Sequence, residues 1–131
     1  MNRIFKFRAW DEEYRRYYED AERYRETGEF CPDIENCYCF GDFLKQPTRF
    51  IVEQCIGLRD KNGRLIYEGD VLGFYIDVHP VYVQWDSDKC RFVLRRFDLK
   101  GWEISLTQDT ASKYDIIGNI HEVEANSYGY L

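Results

Sequence analysis

The chain has 131 residues, 44% of them hydrophobic and 18% aromatic, which excludes disorder over most of its length and predicts one compact domain over 1–131. Its net charge of −6 opposes the long-range attraction to phosphate on which non-specific nucleic-acid binders depend. No run nears the roughly 20 apolar residues of a membrane span, and the N-terminus lacks the basic and apolar regions of a secretory signal, so a cytoplasmic protein with no membrane partner is expected.

Ile4 to Trp10 alternates, with Phe5, Phe7 and Ala9 against Lys6 and Arg8, and predicts a first strand. From Asp11 the period changes. Tyr14, Tyr17, Tyr18, Ala21 and Tyr24 share a stripe at helical spacing, and Arg15/Glu19 and Glu19/Arg23 fall at i,i+4. A helix to about Thr27 is predicted, capped by Asp11 and closed at Gly28. Residues 29–48 hold Pro32, Gly41 and Pro47 with no sustained period. They read as an irregular excursion that, with the helix, forms an insertion over 11–48.

Phe50 to Ile56 returns to strand. In Cys55-Ile56-Gly57-Leu58-Arg59-Asp60-Lys61-Asn62-Gly63-Arg64-Leu65-Ile66-Tyr67-Glu68-Gly69-Asp70-Val71, Asn62-Gly63 supplies the positive φ of a hairpin turn, and Glu68-Gly69-Asp70 forms a corner into the next strand. Val81 to Trp85 and Cys90 to Leu94 predict a second hairpin. Trp102 to Leu106 predicts a further strand, Asp109 to Ser112 a turn or helical turn, and Ile116 to Ile120 a last strand, with Gly118 and Asn119 marking a bulge or close backbone approach. The fold class is mainly β, a small antiparallel curled sheet or SH3-like barrel with an N-terminal helix.

The run from Cys55 to Val71 follows Phe5-Lys6-Phe7-Arg8-Ala9-Trp10-Asp11 and precedes Ile116-Ile117-Gly118-Asn119-Ile120. In this order the three blocks make the chain resemble the YopX-type proteins of bacteriophages and prophages. The resemblance implies a prophage origin, a bacterial cytoplasm, a β-rich fold and self-association, and it carries over no catalytic residue. The insertion is longer than the compact family pattern. The tail from His121 to Asn126 also departs from the Tyr-Glu-Asn-Pro-Glu-Leu-like close of the family.

Each candidate site stands beside an ordinary structural account. Cys31, Cys37 and Cys39, with Cys55 or a histidine as fourth ligand, are a zinc candidate, but their spacing misses the usual knuckle and five cysteines in a reducing compartment read as free thiols. Lys89, Arg91, Arg95 and Arg96, with Phe97, Trp102 and Tyr82, are a nucleic-acid candidate; alternation places Arg91, Val93 and Arg95 on what is equally a solvated strand face. His79, Asp77, Glu68, Asp70, His121 and Glu122 contain the groups of an acid–base site but no motif that fixes them. Asp60, Asn62, Gly63, Gly69 and Asp70 are read as turn structure.

Tyr14, Tyr17, Tyr18 and Tyr24 are the expected protein contact, since tyrosine suits surfaces with one wet end. The sequence therefore reads as a non-enzymatic, homo-oligomeric protein-binding module without cofactor, whose partner is an unknown phage or host protein. Nucleic-acid binding is the alternative, and a zinc-containing or hydrolytic protein the remote one.

Overall fold

The computed structural model describes residues 3–24, 39–74 and 77–122. In chain order these form β1 (Phe7–Asp11), β2 (Arg16–Tyr18), a 3-10 turn (Ala21–Arg23), α1 (Phe40–Lys45), β3 (Phe50–Arg59), β4 (Leu65–Tyr67), β5 (Asp70–Phe74), β6 (Asp77–Asp86), β7 (Arg91–Arg96), β8 (Glu103–Ser105), α2 (Gln108–Ala111) and β9 (Asp115–Asn119). Among the described residues 48% are strand and 13% helical, and the fold is mainly β, in two antiparallel sheets, one of them a curled half-barrel. The sheet orders are β2-β1-β3-β4 and β8-β7-β6-β5-β9. No helix of the described residues is long and apolar enough to cross a membrane.

The chain divides into two compact units, Asn2–Cys55 and Ile56–Leu131. Each has its own apolar cluster. Tyr18, Tyr24, Phe40 and Phe43, all within residues 11–48, supply most of the aromatic side chains of the first.

In the first unit, the helix expected from Asp11 to Thr27 does not form over the described residues. Asp11 does accept the amides of Glu13 and Tyr14, as a cap would. Its carboxylate is also held by Arg49 at 3.2 Å, the Glu12 amide donates to the Arg49 carbonyl, and Arg15 takes φ 55°. The chain turns back at Glu12–Arg15, and β2 pairs with β1 through Ala9↔Tyr18 and Trp10↔Tyr17. Adjacent tyrosines that would share a helical stripe thus point to opposite faces of a strand. Tyr17 stacks edge-on against Trp10 with centroids 4.9 Å apart. Tyr18 joins Tyr24, Phe43 and Phe50 in the cluster. Within the predicted irregular excursion, Phe40–Lys45 is helical, with Cys39 as its N-cap residue. Gly28, Cys31, Pro32 and Cys37 lie outside the described residues.

The second unit follows the predicted strands closely. β6 and β7 pair from Val81↔Arg96 to Asp86↔Arg91, so Val81, Val83, Phe92 and Leu94 share the core face. Leu72, Ile66, Ala111 and Ile104 complete that cluster. The bulge expected at Gly118 is present: β5 pairs Val71↔Gly118 and then Leu72↔Ile116, leaving Ile117 as the extra residue. Glycine at position 73 gives Ile117 room to lean in, since a Cβ there would stand 3.1 Å from its Cδ1.

Candidate binding face

The turn residues that carry the family resemblance are structural. Asp60 is 4% exposed. One of its carboxylate oxygens accepts the amides of Asn62 at 2.9 Å and Arg64 at 2.8 Å; the other accepts the Ile116 amide at 3.1 Å and faces Arg64 Nε at 3.3 Å. Burial pushes this carboxyl up, but the three amides and the Arg64 guanidinium outweigh it and hold the group below its ordinary value.

The same turn makes three more bonds, two to β9 and one to Tyr114 just before it. The Lys61 amide donates to the Tyr114 carbonyl, Arg64 Nη2 to the Ile116 carbonyl, and Asn62 Nδ2 to Asp115. β9 ends the order of its sheet, so the turn satisfies a strand edge that would otherwise invite pairing. Gly63, at φ 83°, is required by the turn geometry. At the next corner Asp70, 2% exposed, accepts the Tyr67 amide at 2.8 Å, while Gly69 bonds Val83 and Ile120 through its backbone.

The basic strand carries a ladder of ion pairs. Lys89 and Arg91 reach Glu103 Oε1 at 3.1 and 3.2 Å, and Arg95 reaches Oε2 at 3.0 Å and Asp86 at 4.0 Å. The Lys89 hydrogen bond first, and then the charges of Lys89, Arg95 and Arg91, hold the Glu103 carboxyl below its ordinary value. Arg96 lies on the opposite face and grips Asp98 with two bonds of 2.8 and 2.6 Å. His79 Nδ1 stands 2.8 Å from the same carboxylate. The Arg96 bond, with lesser help from the His79 charge, pulls Asp98 down to about 2. Tyr82 and Phe97 pack together at 4.6 Å, and Trp102 lies under Arg96 at 5.8 Å.

The acid–base candidates whose side chains are described make separate contacts. His79 pairs with Asp98, Asp70 is engaged by the Tyr67 amide, and the His121 amide donates to Asn119 Oδ1. Glu68 is half-buried, Glu122 is exposed, and the Asp77 side chain lies outside the described residues. Among the described residues, no three His, Cys, Asp or Glu side chains are grouped to hold a metal. Of the zinc candidates, Cys39 is exposed and Cys55 buried; Cys31 and Cys37 lie outside the described residues.

The tyrosines do not form a surface stripe. Tyr14 is 63% exposed, Tyr18 is buried, and Tyr17 and Tyr24 are half-buried. A Tyr18→Ala substitution is therefore expected to cost about 3–5 kcal/mol of stability, as large-to-small aromatic changes in cores do. Urea denaturation checks this; a cost near zero would place Tyr18 outside the core.

The single sequence did not point to Glu103, Asp86 and Asp98 as the partners of the basic strand. Asp86↔Arg91 could have been counted from the short hairpin loop, whereas Arg95↔Glu103 needs the β7–β8 register. A cleft of about 230 Å³ also went unforeseen, lined by Ile56 and Leu58 of β3, Arg91 and Phe92 of β7, Ser105 of β8 and the following Leu106.

Comparison with known proteins agrees with this picture of a shared scaffold. The chain is similar in structure to the protein EF1440 from Enterococcus faecalis, with a TM-score of 0.56 and 22% identity over 92% of this chain and 96% of that one. At that identity the likeness speaks for the fold alone. No curated protein matches the sequence. The model of the YopX protein family matches residues 6–124, a span that includes the β1 strand, the Asp60 turn, the Asp70 corner and β9. The chain belongs to the YopX family.

Proposed function

We propose that this protein is a non-enzymatic, self-associating protein-binding module of prophage origin that works in the bacterial cytoplasm. The observation that carries the choice of protein over nucleic acid is the pairing of Lys89, Arg91 and Arg95 with Glu103 and of Arg96 with Asp98. Each cation would have to leave a carboxylate to neutralise a phosphate, and the net charge of −6 adds to that cost. Family membership supports the prophage origin and the compartment.

The contact surface moves from the tyrosines to the second unit. There Trp85, Ile117 and Ile120 are 43%, 49% and 41% exposed, and groups of this kind are what protein interfaces bury. Ile117 and Ile120 come from one strand end, which makes them the testable pair. Ile117→Lys with Ile120→Lys is expected to lower the mass measured by light scattering while the melting temperature holds. An unchanged mass would remove this surface from the account.

The nucleic-acid reading has its own test. Fluorescence anisotropy with single-stranded DNA and RNA at low salt is expected to show no saturable binding. Binding that weakens steeply with added salt would transfer the function to the β7 face.

A further inference from the structure

The cleft between β3 and the β7–β8 strands has a chemistry of its own. Ile56, Leu58, Phe92 and Leu106 make it apolar, and Arg91 and Ser105 give it a polar side. Trp85 packs edge-on against Phe92 at 4.9 Å and stays 43% exposed, which extends the apolar surface beyond the cleft. β8 is the last strand of its sheet order, the position at which an extended segment can lie alongside.

Charge selects the occupant. Arg91 uses one terminal nitrogen on Glu103 and the other on the Ser105 hydroxyl, while its Nε is buried with no hydrogen-bond partner. A buried guanidinium donor left in this way favours an acceptor, above all an anionic one. The ladder holds three cations, Lys89, Arg91 itself and Arg95, against two carboxylates, Asp86 and Glu103, which leaves one positive charge in excess.

We propose that the cleft receives an apolar side chain from an extended, acidic segment of a partner protein, with a carboxylate of that segment meeting Arg91. The proposal rests on the protein-binding reading and names the chemistry of the partner. The apolar side chain supplies the buried anchor and the carboxylate supplies the selection, the usual division of work at an interface.

The test uses two small probes of one shape, 3-phenylpropionate and 3-phenylpropylamine, titrated into the full chain and followed by amide NMR. The carboxylate is expected to shift Leu58, Phe92, Ser105 and Leu106, on the order of tenfold more strongly than the amine. Arg91→Gln should erase that preference and keep the melting temperature. Leu58→Asp should abolish binding of the carboxylate. Shifts confined to residues outside the cleft, equal binding of both probes, or no binding of either would overturn the proposal. Cleft shifts that grow with protein concentration alone would assign the cleft to a second copy and likewise overturn it. Failure with the probes while the chain still self-associates would leave the protein-binding reading in place; salt-dependent binding of nucleic acid would remove that reading itself.

Discussion

Replacing Asp60 by Asn is expected to cost the second unit about 2–4 kcal/mol. Leaving the Ile116 amide without its acceptor costs about 1–3 kcal/mol, and losing the ion pair to the exposed Arg64 side chain about 1 kcal/mol more. One carboxylate oxygen takes Asn62 and Arg64 and the other takes Ile116 and Arg64, so an amide nitrogen at either place meets a donor. The pH dependence has a definite sign. The folded carboxyl lies below its ordinary value of 3.8, so its contribution is complete above that value and is lost as pH falls through the depressed folded pKa. Asp60→Asn should therefore lose stability at neutral pH and show a shallower acid transition than the wild type. Trp85 and Trp102 fluorescence reports on this unit; an unchanged urea midpoint would mean that the turn does not clamp β9.

The second large effect concerns the buried charges of the first unit. Arg8 is 7% and Glu53 3% exposed, joined at 2.9 Å across β1 and β3, and Glu53 also accepts the Tyr17 hydroxyl at 2.9 Å. The Arg8 guanidinium stacks over the Tyr17 ring at 4.0 Å. Arg8→Ala strands the Glu53 carboxylate in the interior and is expected to cost about 3–5 kcal/mol. Arg8→Met combined with Glu53→Leu should recover most of that loss, because removing both charges removes the desolvation that their attraction must offset. A loss below about 1 kcal/mol for Arg8→Ala would show the pair to be water-compensated. Trp10 fluorescence follows this unit, and the tryptophans of the other should respond separately if the units unfold separately.

These two sites show what the sequence could and could not convey. The strands of the second unit were legible because their side chains alternate and their turns carry Asn62-Gly63 and Gly69-Asp70. The structural role of Asp60 was legible as a local turn, while its bond to Ile116, 56 residues away, was not. The helix from Asp11 failed for the same reason. Tyr14, Tyr17, Tyr18 and Tyr24 fit a helical stripe, and Asp11 caps its own following amides, so every local signal agreed. What decides the strand is distant: Arg49 holds Asp11, and Phe50 and Glu53 receive Tyr18 and Tyr17. The charge ladder on β7 was half legible, since alternation gave the face of Arg91 and Arg95 but not the carboxylates that neutralise them.

The Asp60 turn and the Asp70 corner hold strands in place, and the binding surface we propose lies elsewhere on the second unit. A native mass spectrum of the protein purified without chelator tests that division most directly, because it reports subunits, metal and retained ligand together. More than one chain per particle, free of metal and nucleic acid, is expected. A bare monomer would contradict self-association, retained nucleic acid would contradict the reading of the β7 cations as engaged in ion pairs, and one zinc per chain would return the function to Cys31, Cys37 and Cys39.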